Sequence, residues 1–315
     1  MTRTPRHAGS SAVASLAAVI GSAAASWSLL RTGRVLPAAV RDPWARTNHA
    51  GSTVTLLEGP AWVGGALAGA AGATAVEAVV SRLAPGAASR SADWSGGGSA
   101  GAAAIVALSA GALGALDDLV GGAADKGLRG HLRALARGEV TTGAVKVVGL
   151  GLTGLLGVVL VDSRGPGRGT AERPVGSGCP GWTDVLSTLV GGAVVAGAAN
   201  AVNLFDLRPG RALKVTVAAG LPLVGGVAAA TAVGSSLGVV RDDLQASSML
   251  GDTGANAAGA LLGLALVERT GLVGRATALV GLAALTLASE RVSFTQVIEA
   301  NPVLRRIDVW GRERR

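Results

Sequence analysis

Two adjacent carboxylates, Asp117 and Asp118, stand at the end of a long apolar run. The stretch before them, 99–116, carries no charge and approaches the ~20 residues that cross a bilayer. Neighbouring residues of a helix point about 100° apart, so the two carboxylates cannot both aim at one atom. One can hold a metal ion while the other meets a second phosphate group or its attacking oxygen.

Two further polar groups also border apolar runs. Asn200, Asn203 and Asp206 lie in the segment NAVNLFD, and Asp252 lies in MLGDTGAN. A helix start beside glycines offers backbone N–H groups to phosphate, and Asp252 occupies such a position. Mg²⁺ binds one or two protein carboxylates together with substrate phosphates and water. The residues therefore predict a magnesium–diphosphate site, in which Asp252 and one aspartate of the pair could hold the metal.

Basic residues near these groups would neutralise the charge that develops on a reacting phosphate. Each acidic or amide group also has a simpler interpretation, as a helix cap or as a hydrogen-bonding residue between helices. The combination favours a shared site, because the three acidic clusters fall on one predicted face of the membrane. The candidate basic residues are Lys126, Arg305 and Arg306.

The composition is typical of a membrane protein. Hydrophobic residues make up 49% of the 315 and charged residues only 15%, against ~25% in soluble domains. Small residues pack well in membrane helices, which accommodates the 49 glycines, and the net charge of +8 is attributed to topology signals rather than to nucleic acid. We predict an all-α, polytopic membrane helical bundle that forms one domain over 1–315, with a cytoplasmic C-terminal tail at 290–315.

About nine transmembrane helices are predicted, with eight to ten compatible with the pattern. The region 212–240 is the least regular, because Pro222 and several glycines favour kinked, short or re-entrant helices. The first block could instead be a signal peptide, but the spans that follow it favour a first transmembrane helix. The predicted spans are 10–30, 60–81, 99–116, 142–161, 184–203, 212–228, 229–240, 254–267 and 271–289.

Basic residues decide the predicted orientation. Most of them fall in four segments, which the positive-inside rule places in the cytoplasm. The N-terminus is then outside and the C-terminus inside, and the aspartate pair faces the cytoplasm of a multi-pass plasma-membrane protein. With eight spans, the loop 241–252 would move outside. The four basic segments are 31–59, 117–141, 204–214 and 290–315.

The three motifs together resemble the polyprenyl-phosphate N-acetylhexosamine-1-phosphate transferases. This family includes the bacterial phospho-MurNAc-pentapeptide translocase and the GlcNAc-1-phosphate transferases. GALDDLVG looks like the paired-aspartate motif of the family, NAVNLFD like its Asn-x-x-Asn-x-x-Asp motif, and MLGDTGAN like its Met-Gly-Asp-x-Gly-Ser motif. The motif order also matches, and the resemblance extends from around Arg46 to Leu285.

The resemblance implies an enzyme that moves a HexNAc-1-phosphate from a UDP-sugar to an undecaprenyl-type phosphate and releases UMP. It implies Mg²⁺ as cofactor, with Mn²⁺ as a substitute, and a role in cell-envelope synthesis such as that of peptidoglycan. Asp117 and Asp118 would act at the metal and the lipid phosphate, and Asp252 would be a direct metal ligand. The tendency of relatives to dimerise leaves a homodimer open. The nucleotide-sugar pocket would be lined by Asn200, Asn203 and Asp206.

The chain departs from the family pattern in three places. Pro209 stands where a second acid is usual after Asp206, Ala255 replaces a serine, and the sequence lacks a His-rich cytoplasmic loop. These departures keep open a catalytically impaired relative that acts as a binding or scaffold protein in envelope assembly. A transporter is a further alternative, but it would place its polar groups near the bilayer midplane rather than at one face.

Overall fold

The computed structural model describes residues 7–47, 51–83, 96–120, 137, 142–163 and 181–312. Within these ranges the chain is mainly helical, with one antiparallel hairpin of β1 (Ala45–Thr47) and β2 (Thr53–Thr55). The twelve α-helices of the described ranges are α1 His7–Arg34, α2 Ala38–Arg41, α3 Glu58–Leu83, α4 Gly96–Val120, α5 Thr142–Asp162, α6 Trp182–Phe205, α7 Arg211–Gly220, α8 Val227–Leu244, α9 Gly251–Val267, α10 Leu272–Ser289, α11 Phe294–Ala300 and α12 Pro302–Val309.

Six helices of the described ranges are long and apolar enough to cross a membrane. They indicate a multi-pass membrane protein, which agrees with the prediction from composition. The chain is all-α apart from the short hairpin, so the predicted helical class is confirmed as well. The six apolar stretches are Ala12–Arg34, Glu58–Leu83, Ser99–Val120, Gly143–Asp162, Trp182–Phe205 and Leu272–Ser289.

The prediction of nine spans is wrong, because three predicted spans form shorter or more polar helices. α7 has 10 residues and is about 15 Å long, half of a ~30 Å hydrocarbon core. It ends at a 3-10 turn around Pro222, the residue at which the sequence predicts an irregularity. α8 ends in Arg241, Asp242 and Asp243, which leaves too short an apolar stretch, and α9 has only 17 residues.

Helix α9 lies at the centre of the bundle and packs against α3, α4, α6 and α8. Its residues from Thr253 to Ala265 are all buried. Glycines permit this crowding: a Cβ atom built on Gly263 would lie 2.7 Å from Cα of Val195, and one on Gly259 would overlap the Ala198 carbonyl. The α9 and α6 backbones are therefore in direct contact, as small residues allow between membrane helices.

A second small-residue interface joins α1 to α3 and α8. Ser22 of α1 lies against Gly69 of α3 and Gly234 of α8, and Ser26 lies against Gly65. A Cβ atom built on any of these three glycines would lie 2.9–3.1 Å from a serine Cβ atom, so these positions have no room for a larger side chain. The first helix is thereby held tightly against α3 and α8.

An ion pair made by the buried Arg275 joins three helices at one end of the bundle. Arg275 on α10 donates to both carboxylate oxygens of Asp162 on α5, at 2.7 and 2.8 Å. The same guanidinium donates to the carbonyl oxygen of Ser187 on α6, at 3.1 Å. Bidentate pairing of this kind fixes orientation as well as distance. The other ends of α5 and α6 lie at the opposite end of the bundle.

The α1–α3 interface yields a stability prediction. A methyl group at Gly69 would lie 2.7 Å from the Ala18 carbonyl oxygen, whereas one at Gly151 meets nothing within 4 Å. We expect Gly69→Ala to lower the free energy of unfolding by about 1–3 kcal/mol through overpacking. Gly151→Ala serves as the control, because both variants gain the same helix propensity. Thermal unfolding in detergent measures both, and equal stabilities would contradict the close packing.

Candidate functional site

Lys146 on α5 lies between two of the predicted aspartates. Its Nζ atom is 3.5 Å from Oδ2 of Asp117 on α4 and is hydrogen-bonded to Oδ2 of Asp252 on α9. The three side chains are largely buried, with exposed fractions of 15, 26 and 22% for Lys146, Asp117 and Asp252. The two predicted metal ligands therefore come together on one cation.

Asp118 has a different environment from its neighbour. Its carboxylate accepts hydrogen bonds from the backbone N–H of Asp252 at 3.0 Å and from that of Thr253 at 2.9 Å. The hydroxyl of Thr253 donates to it as well, at 2.6 Å. Asp118 thus caps the start of α9 from another helix.

Asp206 completes the same cap. Its carboxylate accepts a hydrogen bond from the backbone N–H of Gly251, and burial raises its pKa well above the usual range, with the Asp243 and Asp252 charges adding to the shift. Gly251 has φ +63°, and a Cβ atom there would lie 2.9 Å from Oδ2 of Asp118, so glycine suits this turn. The expectation that the backbone N–H groups beside Asp252 are open to phosphate is therefore wrong in this structure.

The β-hairpin covers this end of the bundle. Arg46 on β1 donates to the backbone carbonyl of Asp118, the residue that caps α9. The backbone N–H of Met249 donates to the carbonyl of Thr55 on β2, at 2.9 Å. The hairpin therefore contacts both the end of α4 and the segment that leads into α9, and it holds these two parts of the site in register.

A second group of acids lies on the other side of Asp206. Glu58 on α3 is fully buried and accepts a hydrogen bond from the hydroxyl of Ser248. Asp242 pairs with Arg34 at 2.8 Å. Asp243 is buried, which raises its pKa to about 7 although the Gly210 N–H and two nearby cations oppose the shift. Within the described residues, Oε1 of Glu58 and Oδ2 of Asp243 have no hydrogen-bond partner.

The remaining predicted site residues are more dispersed. Asn200 donates to the hydroxyl of Thr286 on α10 at 3.1 Å, which is the interhelical role that the simpler interpretation assigns to it. Asn203 lies half-buried one turn before Asp206. Arg305 and Arg306 are exposed on α12, and within the described residues no hydrogen bond or ion pair joins them to the aspartates. Lys126 lies outside the described residues.

Sequence reasoning did not find Lys146, Glu58 or Asp243. A signal existed for Lys146, because it is a cation inside the predicted span 142–161, and a charge at such a position is a functional-site hypothesis by default. Glu58 and Asp243 gave a weaker signal, since each lies at the end of an apolar run where charges are ordinary. Their burial arises only from helices that are distant in sequence.

The described residues contain no group of three or more His, Cys, Asp or Glu side chains that could hold a metal ion. Asp117 and Asp252 provide two carboxylates, which matches the one or two that Mg²⁺ usually takes from a protein. Any Mg²⁺ here would therefore need further oxygens from a substrate and from water.

Comparisons with known proteins do not assign the chain to a family. No protein-family model matches it, and no curated protein is significantly similar to it.

The two aspartates of the pair are predicted to differ in their effect on stability. Asp118→Ala removes three hydrogen bonds from the start of α9, and we expect a loss of about 2 kcal/mol in the free energy of unfolding. Asp117→Ala leaves Lys146 paired with Asp252, so its loss is expected to be about 1 kcal/mol or less. Denaturant or thermal unfolding of the purified variants measures both, and similar losses would rule out a capping role specific to Asp118.

The environment of Asp252, which lies outside the six apolar stretches, gives a pH prediction. Burial raises its pKa from 3.8 to about 6, with Asp117 adding to the shift and Lys146 opposing it. The folded state then binds the proton more tightly than the unfolded state, so stability falls as the pH rises from about 4 to about 6 and levels off above that. Asp252→Asn should flatten this part of the profile of melting temperature against pH. An unchanged slope in the variant would contradict the assignment.

Proposed function

We propose that this protein is a membrane phosphoglycosyl transferase. It would move a HexNAc-1-phosphate from a UDP-sugar to a polyprenyl phosphate and release UMP, in cell-envelope glycopolymer synthesis. The observation that carries the proposal is the meeting of Asp117 and Asp252 on Lys146 at one end of a bundle of apolar helices. Two carboxylates and an ammonium group at that place suit a charged phosphate ligand whose second reactant is a lipid.

The chemistry of the donors fits a divalent cation. Asp117 and Asp252 would hold Mg²⁺, or Mn²⁺, which also prefers carboxylate and water ligands. When bound, the metal supplies charge neutralisation to the diphosphate. Asp118 and Asp206 would act one step removed, because their bonds to the start of α9 hold Asp252 in place.

Lys146 and Asp252 would then take part in the reaction. An oxygen of the lipid phosphate attacks the phosphorus that bears the sugar, the bond from that phosphorus to the bridging oxygen breaks, and UMP leaves with the bridging oxygen. Lysine is a common phosphate ligand, so Lys146 would bind the diphosphate oxygens. Asp252 would take part through the metal ion that its carboxylate helps to hold.

Substrate contacts complete the proposal. The lipid acceptor would approach from the bilayer around the six apolar helices, and the nucleotide-sugar from the cytoplasm, as the basic segments predict. Asn203 lies one turn before Asp206 on α6 and stays a candidate for the nucleotide-sugar. Lys126, Arg305 and Arg306 also stay predictions as phosphate contacts.

One observation favours the alternative of a catalytically impaired scaffold. Lys146 already pairs with both Asp117 and Asp252, and the three N–H groups at the start of α9 are already bonded. A site whose polar groups already have partners within the protein has less need of a ligand. A scaffold of this kind would keep its role in cells when Asp117 or Asp252 is changed to asparagine, whereas an enzyme would lose it.

Binding in the presence and absence of Mg²⁺ tests the proposal. We expect detergent-purified protein to bind UDP-GlcNAc or UDP-MurNAc-pentapeptide only with Mg²⁺, and to release UMP once a polyprenyl phosphate is added. Asp252→Asn should abolish both signals, because it removes a metal ligand. Asp162→Asn is the matched control, since it alters a carboxylate of the Arg275 pair at the opposite end of the bundle. Absence of binding by folded wild-type protein would overturn the proposal.

A further inference from the structure

The C-terminal helix α12 carries a row of exposed apolar side chains. Val303, Ile307 and Trp310 are 67, 55 and 76% exposed. Val303 and Ile307 lie one turn apart on one side of α12, because a helix turns once every 3.6 residues, and Trp310 follows as the residue that ends the helix. The same turn places Arg306 beside this row and Arg305 on the opposite, polar side of α12.

The orientation of α12 is set by a buried ion pair. Asp308 accepts hydrogen bonds from Nε of Arg211 at 2.8 Å and from its second terminal nitrogen at 3.0 Å. Lys214 donates to the carbonyl oxygens of Ile307 at 3.0 Å and of Trp310 at 2.6 Å. These bonds attach one side of α12 to the start of α7, so the apolar row is held pointing away from the bundle.

The position of α11 and α12 relative to the ends of the apolar helices is also defined. Phe294, the first residue of α11, stacks on Phe205, the last residue of α6, with ring centroids 5.6 Å apart. It also follows Ser289, the last residue of α10, by five residues, a reach of at most ~18 Å. Both α6 and α10 contain stretches able to cross a membrane. The C-terminal helices therefore begin where two candidate spans end.

We infer that α12 lies in the surface of the bilayer that its own protein spans and binds anionic phospholipid headgroups. The apolar row enters the boundary between headgroups and acyl chains, which is the usual position of an amphipathic interfacial helix. Trp310 suits this boundary, because its ring is apolar and its N–H is polar. Arg306 reaches the headgroup phosphates from the flank of the row, and Arg305 adds positive charge on the polar side of the helix.

This inference goes beyond the proposed transferase and does not depend on it. It assigns Arg305 and Arg306 to the membrane instead of the substrate phosphate. The ion pair between Asp308 and Arg211 then connects the membrane surface to α7, which starts five residues after the capping Asp206. A displacement of α12 by lipid would be transmitted through this ion pair to residues next to the candidate site.

Nitroxide labelling of the full chain in vesicles tests the inference. A Cys179→Ser background would carry Ile307→Cys on the apolar row or, as control, Glu299→Cys, whose side chain is 57% exposed on α11. In vesicles of phosphatidylcholine with about 30% phosphatidylglycerol, we expect oxygen to collide with the label at 307 more often than a water-soluble nickel chelate does. The control at 299 should show the reverse order.

The charge on α12 is tested by a second variant. Changing Arg305 and Arg306 together to glutamine should lower the oxygen preference at 307 in the anionic vesicles to its value in pure phosphatidylcholine. Equal behaviour of the labels at 307 and 299 would overturn the inference, and so would shielding of 307 from both reagents, which would indicate a protein partner. Loss of UDP-sugar binding in the double variant, with immersion unchanged, would return the two arginines to the substrate site.

Discussion

The buried start of α9 is the constraint on which the rest of the structure depends. The first N–H groups of any helix lack partners within the helix, and leaving one buried and unpaired costs about 1–3 kcal/mol. Here Asp118 and Asp206 supply the acceptors from α4 and α6, and the negative charges also suit the positive end of the helix dipole. The ends of these three helices must therefore meet, and Asp252 is placed as a consequence.

At the acidic end of the bundle, some carboxylates are paired with a cation and others are not. Lys146 pairs with Asp117 and Asp252, and Arg34 pairs with Asp242, each at short distance. Glu58 and Asp243 each retain a buried oxygen without a partner in the described residues. The opposite end has the fully bonded Arg275 pair instead. Buried acids that lack full pairing reduce stability, and their concentration at the end with the candidate metal ligands is what a functional site would require.

The sequence was informative where a property depends on local composition. Apolar runs predicted membrane helices, and Pro222 predicted the break that the 3-10 turn after α7 shows. The number of spans was not predictable in this way, because a run such as 254–267 has the same composition whether it faces lipid or other helices. α9 illustrates the point. Its alanines and glycines have the composition of a membrane span, yet the helix has only 17 residues and is enclosed by other helices.

By itself, the sequence determined the helical membrane class and the set of acids available at the helix ends, because both follow from residue type and from order along the chain. Tertiary structure alone decided what each acid does. Asp117 and Asp118 are neighbours in sequence, but the 100° between them sends one to Lys146 and the other to the start of α9. Lys146 itself became part of the site only because α5 packs beside α4 and α9, which brings its ammonium group to Asp117 and to Asp252, a carboxylate more than a hundred residues away.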